Sequence, residues 1–138
     1  MIPGQTVEQR RTFLCSPATI KDVRKWVADV LSENNVGTAF VDDVVLAVSE
    51  AVTNSVLHGY ESTHEGIVDV RLFFSGNALH LVVRDYGISI AKNGYAAPDL
   101  ETPHEGGYGL FLIQALTDSV TAVPLEQGNE IHMVKKLQ

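Results

Sequence analysis

The sequence predicts an α+β fold, a two-layer α/β sandwich in which helices cover one face of a mostly antiparallel, mixed sheet. Apolar residues recur at helical spacing in three segments, and shorter apolar runs bounded by turn residues are typical of strands. The 138 residues are enough for one core and show no internal repeat or domain boundary. We therefore predict a single domain over residues 1–138.

The first elements are a strand and two helices. A strand is predicted from Val7 to Cys15, and Ser16 followed by Pro17 is typical of a helix start. The first helix then extends to about Glu33. A second helix is predicted from Thr38 to Leu57, because its valine-rich run is longer than a strand and does not alternate.

The later elements are mainly strands. Two of them, Ile67 to Phe74 and Ala78 to Val83, are separated by Ser-Gly-Asn and should pair antiparallel. A region of about twenty residues without apolar periodicity follows, and a loop of that length in a compact domain is often functional. A third helix is predicted from Tyr108 to Ser119. The closing strands are predicted near Ser119 to Pro124 and Ile131 to Leu137.

Charge and composition exclude several functions. The net charge of −7 argues against broad contact with a nucleic acid backbone, which needs clustered Lys and Arg. No apolar run is long enough to cross a membrane, and the N-terminus lacks the pattern of a signal peptide, so we expect a cytoplasmic protein. The lone cysteine, Cys15, is expected to be a buried small hydrophobic residue.

Polar residues interrupt the second helix in a regular way. Glu50, Asn54 and His58 lie four residues apart and form one stripe that is predicted to point toward the core. Local hydrogen bonds near a frayed helix end are one explanation. The other is a water-containing cavity beneath a ligand, where Glu50 takes a proton and Asn54 offers an oxygen to Mg²⁺, while His58 is structural. The positions predicted to point outward are Asp42, Ser49 and Thr53.

Two glycine-containing segments are further site candidates. Asp85-Tyr86-Gly87 directly follows a predicted strand, where a glycine allows close approach to the backbone, although an ordinary turn aspartate is the alternative. Gly106-Gly107-Tyr108-Gly109 opens the third helix and can present amides to phosphates. The lysine of a Walker loop is absent.

These three segments in this order resemble the ATP-binding domain of the GHKL superfamily. The sequence segments SEAVTN, HGY and GGYGLFLIQALTDSV are more closely similar to those of bacterial anti-sigma factor serine kinases of the RsbW and SpoIIAB type. The resemblance covers nearly the whole chain. It implies a Bergerat-type ATP-binding fold with residues 88–106 as the ATP lid.

The resemblance also implies residue roles and partners. Glu50 would be the general base or would position the nucleophile, and Asn54 would coordinate Mg²⁺ at the phosphates of ATP or ADP. Asp85 would accept a hydrogen bond from the adenine amino group, with Gly87 allowing close approach. Family members bind a sigma factor and phosphorylate a serine of a STAS-type anti-sigma factor antagonist, commonly as homodimers. The phosphates would be cradled by amides around Gly107, Tyr108, Gly109 and Leu110.

Two positions depart from the family pattern. Ser89 stands where a second glycine is usual, and Glu105 stands where kinases tend to have a basic residue, for which His104 is a candidate substitute. These departures motivate an alternative, a non-catalytic, switch-type ATP-binding module of the same fold that regulates a partner without transferring phosphate. A further alternative is an unrelated α+β protein whose motifs match by chance.

Overall fold

Five strands form one sheet in the computed structural model, which describes residues 8–16, 18–34, 36–55, 66–86 and 108–137. The strand order is β1-β2-β3-β5-β4, and all four pairings are antiparallel. The sheet is thus antiparallel throughout the part of the chain that the structure describes. The strands are β1 Gln9–Leu14, β2 Ile67–Ser75, β3 Ala78–Asp85, β4 Ser119–Pro124 and β5 Asn129–Lys136.

The central hairpin joins β2 and β3 as predicted. Its two-residue connection is Gly76-Asn77, and Gly76 has φ of 60°, a left-handed conformation that glycine adopts without strain. Ser75 pairs with Ala78 next to the turn, and Val68 pairs with Asp85 at the open end. This register places Asp85 at the end of β3.

Three helices in the described part of the chain form the second layer, which confirms the predicted α+β sandwich. Alternate residues of β2 and β3, including Val70 and Leu81, are fully buried beneath the helices, because successive strand residues point to opposite faces. The central helix packs against both of the others. The helices are α1 Thr19–Ser32, α2 Thr38–Asn54 and α3 Tyr108–Leu116.

The first helix begins later than the sequence predicted. Ser16 is not its N-cap: the backbone N–H of Ser16 donates to Thr19 Oγ1 at 2.9 Å, and the Thr19 hydroxyl donates to the Leu14 carbonyl. These bonds form a turn before the helix, whose N-cap is Ala18.

The third helix ends earlier than the sequence predicted. It ends at Leu116 rather than Ser119, because Ser119 already pairs with Val134 of β5.

Cys15 follows β1 and is buried, as predicted. Burial raises the pKa of its thiol, and the nearby carboxylate of Asp85 raises it further. Cys15 therefore behaves as a small core residue. Among the described residues, none of the helices has the length and apolar character needed to cross a membrane.

Candidate functional site

The direction of α3 relative to α2 is fixed at one end by Lys135 of β5. Its ammonium group donates a hydrogen bond to the Leu116 carbonyl at 2.8 Å and lies 3.6 Å from the carboxylate of Asp43. The last residue of α3 is therefore beside the second turn of α2. Because α3 ends near the start of α2 and the two helices are in extensive contact, we infer that α3 runs antiparallel to α2, with its N-terminus toward the C-terminal half of α2.

Glu50 and Asn54 lie on the side of α2 that faces α3. Glu50 is seven residues after Asp43, and Asn54 is eleven residues after it, so all three share one helical face. Both candidate site residues are half-buried. They thus flank the core rather than point directly into it, and they lie in the direction of the N-terminus of α3.

Ser49 corrects the predicted orientation of the polar stripe. The sequence placed Ser49 outward, but its side chain is buried and donates a hydrogen bond to the Leu46 carbonyl at 2.9 Å. The physical reason is that the buried face of α2 is wider than the sequence predicted and includes Ser49 beside Val48 and Val52. Only Asp42, of the three positions predicted to point outward, is exposed, since Thr53 is half-buried.

Asp85 lies on the same face of the sheet as the helices. It continues the alternation of Leu79, Leu81 and Val83, all of which are in the core, and it is 4% exposed. The register of Asp85 with Val68, and of Val68 with Phe13, places Asp85 at the end of the sheet where Cys15 follows β1, and its charge contributes to the raised pKa of the Cys15 thiol. A buried carboxylate at a strand end, beneath a helical layer, is typical of a ligand-binding position.

The remaining predicted site residues fall into two groups. Tyr108, Gly109 and Leu110 form the first turn of α3, as the sequence predicted. The amides of a first helical turn have no partner within the helix, so this turn can present N–H groups to an anion. Outside the described residues lie Gly87, Gly107, the predicted lid at 88–106, His58, and the departures at Ser89, His104 and Glu105.

Sequence reasoning missed a second buried carboxylate, Asp69 of β2, on the helix-free face of the sheet. Its oxygens accept hydrogen bonds from the Tyr86 hydroxyl at 2.6 Å, from Arg10 at 3.1 Å and from the Thr12 hydroxyl. Burial alone raises the pKa of Asp69, but the hydrogen bonds from Thr12 and Tyr86 and the charge of Arg10 outweigh it and lower the pKa. The available sequence signal was a lone aspartate inside an apolar strand.

The Asp69 carboxylate also affects Tyr86, the residue directly after Asp85. The hydrogen bond to Asp69 raises the pKa of the Tyr86 phenol, and burial and the Asp69 charge act in the same direction. Tyr86 therefore keeps its proton and remains a donor to Asp69. This contact links the backbone at the end of β3 to the helix-free face.

Comparison with known proteins assigns the family. The family model described as the histidine kinase-like ATPase domain matches residues 13–135, nearly the whole chain. The chain belongs to this family. The match includes Glu50, Asn54, Asp85 and the first turn of α3, so the candidate site lies within the matched region.

Individual relatives agree with this assignment. A serine-protein kinase RsbW of Staphylococcus epidermidis is 33% identical over 125 residues, which cover 84% of this chain and 78% of the relative. An anti-sigma F factor of Anoxybacillus flavithermus is 30% identical over 100 residues, covering 69% of this chain and 68% of the relative. The first relative carries the RsbW name and the second is named an anti-sigma factor, which agrees with the class of protein that the sequence motifs resembled.

A solved structure confirms the fold. The structure of the RsbU and RsbW domains of a Mycobacterium tuberculosis protein matches with a TM-score of 0.73 and 21% identity. The match covers 95% of this chain and 32% of that chain. A histidine kinase domain from Erythrobacter litoralis matches with a TM-score of 0.56 over 71% of this chain and 45% of its own. At these identities the likeness concerns the fold alone.

Proposed function

We propose that this protein is an ATP- and Mg²⁺-dependent serine/threonine kinase and anti-sigma factor. In this proposal it binds a sigma factor and phosphorylates a serine of a STAS-type anti-sigma factor antagonist. One observation carries the proposal: Glu50 and Asn54 share the α3-facing side of α2, in the direction of the first turn of α3. A carboxylate, an amide oxygen and a set of helix N-terminal amides are thereby directed to one region.

The residues of this region fit a nucleotide with its metal. Asn54 offers one amide oxygen, and Mg²⁺ commonly takes only one or two protein ligands because it keeps waters and substrate phosphates. The first-turn amides from Tyr108 to Leu110, with Gly107, suit the phosphates. Asp85 lies on the same side of the sheet, where its carboxylate suits the adenine amino group, and Gly87 would allow the base to approach.

The proposed chemistry needs little from the protein beyond positioning and charge. Phosphoryl transfer passes through a loose transition state, so catalysis depends mainly on alignment and electrostatic stabilisation. Glu50 would orient the serine hydroxyl of the antagonist and accept its proton as the phosphate is transferred. Bound Mg²⁺ would supply charge neutralisation at the phosphates, while Asn54 holds its position.

The relatives support the assignment of partners. RsbW of Staphylococcus epidermidis is named a serine-protein kinase, and the Anoxybacillus flavithermus relative is named an anti-sigma F factor. We extend both roles to this chain, with a homodimer in the cytoplasm as its working form. Residues 1–138 would act as one domain, with residues 88–106 as the ATP lid.

The test uses the protein, Mg-ATP and a candidate STAS-type antagonist. We expect a phosphoserine on the antagonist, detected by mass spectrometry, and no phosphorylation when an antagonist with alanine at that serine is used. Absence of phosphoserine, under conditions where ATP binding is measured directly, would remove the kinase assignment. If partner regulation persisted in that case, the switch-type module suggested by Ser89 and Glu105 would replace it.

A further inference from the structure

The backbone at Asp85 and Tyr86 is held in place both by sequence neighbours and by residues distant in sequence. Five residues, which we term the support cluster, contact this short segment or the groups that hold it. One of them belongs to β2, two are the residues directly before and after Asp85, and two lie in the β4–β5 turn. The support cluster consists of Asp69, Arg84, Tyr86, Gln127 and Gly128.

Gly128 provides the closest of these approaches. A Cβ atom placed on Gly128 would lie 2.1 Å from the carbonyl oxygen of Asp85 and 2.7 Å from the Cα of Tyr86, distances that no side chain tolerates. Gly128 also has φ of 85°, the left-handed region that favours glycine. The β4–β5 turn therefore lies directly against the backbone that carries the Asp85 side chain.

Hydrogen bonds fix the same turn to the same segment. Gln127 donates from its side-chain amide to the Tyr86 carbonyl at 3.2 Å. Arg84 donates to the Asp85 carbonyl at 3.0 Å through Nε and to the Gln127 carbonyl at 3.0 Å through Nη2. One guanidinium group thus bridges the end of β3 and the β4–β5 turn.

The Tyr86 side chain completes the support cluster. The Arg84 guanidinium lies over the Tyr86 ring at 4.4 Å from its centroid, and the Tyr86 hydroxyl donates to Asp69 at 2.6 Å. Asp69 is in turn fixed by Thr12 and Arg10 of β1. The residue after Asp85 is therefore anchored at its backbone and at the tip of its side chain.

We propose that the support cluster positions Asp85 and thereby sets the preference of the site for adenine over other purines. This inference rests on the proposed ATP-binding function. A single carboxylate discriminates an amino group from a carbonyl only when its direction is fixed, since a mobile one loses alignment with the donor. Tyr86 and Gln127 act through Asp85 and are positioning residues.

The test compares the binding of Mg-ATP with that of the magnesium complex of inosine triphosphate, which has an oxygen in place of the adenine amino group. We expect the wild type to prefer ATP. In Tyr86→Phe the preference for ATP should weaken. The dissociation constant for inosine triphosphate divided by that for ATP should fall by about fivefold, the range for losing a well-aligned hydrogen bond. Gln127→Ala should lower the ratio in the same direction, and because its side chain is exposed this variant is expected to fold.

Two control variants separate positioning from a general loss of stability. Asp118→Ala removes the acceptor of the Lys136 N–H at the opposite end of β5 from the support cluster, so it should lower the thermal midpoint but leave the ratio unchanged. Gln9→Ala removes an exposed glutamine from β1 and should change neither quantity.

The outcomes distinguish this inference from the proposed function. A preference for ATP in the wild type that is unchanged in Tyr86→Phe and Gln127→Ala would overturn the positioning role alone. A wild type that binds neither nucleotide would overturn the ATP-binding function and the positioning role together. A lowered ratio in both variants, with the ratio of both controls equal to that of the wild type, would support the inference.

Discussion

Asp69 and Asp85 are buried to the same extent on adjacent strands, but they lie on opposite faces of the sheet. Each is 4% exposed. Asp69 is on the helix-free face, where two hydroxyl groups and a guanidinium group bind its oxygens. Asp85 is on the helix face, close to Cys15 and the apolar core.

The difference shows that burial alone does not identify a functional carboxylate. The partners of Asp69 come from β1 and from the residue after β3, so this carboxylate ties three parts of the sheet together. Asp85 lies at the end of its strand, on the face of the sheet that the helices cover. We therefore assign a stabilising role to the first and propose a ligand-binding role for the second.

The largest expected effect is on the helix face. Glu50→Gln should lower the rate of phosphate transfer to the antagonist by about 10²- to 10⁴-fold, because the proposed general base is lost. Nucleotide affinity should change little, since Gln keeps the size and polarity of Glu. Single-turnover phosphorylation and calorimetry measure the two quantities. Glu33→Gln, at the exposed C-cap of α1, is the matched control and should behave as wild type.

The next effect concerns the turn that supports the end of β3. Gly128→Ala should destabilise the protein by about 2 kcal/mol or more, through strain at a left-handed position and overlap with the Asp85 backbone. Urea unfolding followed by circular dichroism measures this loss. Gly37→Ala is a suitable control, because a Cβ there meets nothing within 4 Å. Equal stability of the two variants would contradict the close approach.

On the helix-free face, Asp69→Asn should lower the free energy of unfolding by about 1–3 kcal/mol near pH 7, the range for hydrogen bonds to a buried charged group. The folded-state pKa of Asp69 is lowered from its ordinary 3.8, so the contribution of the carboxylate is present above about pH 4. This contribution to stability is lost as the pH falls through the folded-state pKa of Asp69.

Denaturant unfolding at pH 7, 5 and 3 tests this pH dependence. The stability gap between the wild type and Asp69→Asn should be constant from pH 7 to 5 and should narrow at pH 3. Asp29→Asn, an exposed position on α1, is the control and should show no gap. A stability gap that widens as the pH falls would show that the folded-state pKa of Asp69 is not lowered.

The smallest expected effect is at Cys15. Burial and then the Asp85 charge raise the pKa of its thiol, so the thiol should react slowly with iodoacetamide at pH 8. Asp85→Asn removes the charge and should speed alkylation modestly, whereas Asp69→Asn should not. Mass spectrometry of alkylation over time gives the rates. Equal rates in the wild type and Asp85→Asn would contradict the proximity of the two groups.

Local patterns in the sequence predicted most of the fold. Short apolar runs on either side of Ser-Gly-Asn predicted the central hairpin, and the length and lack of alternation of the valine-rich run predicted α2 from Thr38. The start of α1 was harder to predict, because the turn formed by Ser16 and Thr19 depends on a bond from Thr19 to Leu14. That bond is a detail of packing that a capping rule does not include.

Tertiary contacts explain what the sequence did not predict at the site. Ser49 is buried because other parts of the chain pack on a wider face of α2 than the spacing indicated, and the network at Asp69 joins Thr12 with Tyr86, which are far apart in the chain. The positions of Asp85 and of the first turn of α3 were predicted, because strand and helix ends are marked locally by glycine. The roles of Gly87, Gly107 and the lid stay predictions, since these residues lie outside the described part of the chain.

The most direct measurement is calorimetric titration of the wild type, Asp85→Asn and Asp69→Asn with Mg-ADP. The wild type should bind, and Asp85→Asn should bind about 10- to 100-fold more weakly, as expected for a lost hydrogen bond to a charged group. Asp69→Asn should lose less affinity than Asp85→Asn. Absence of binding by the wild type, or equal affinity in the wild type and Asp85→Asn, would contradict a nucleotide site on the helix face.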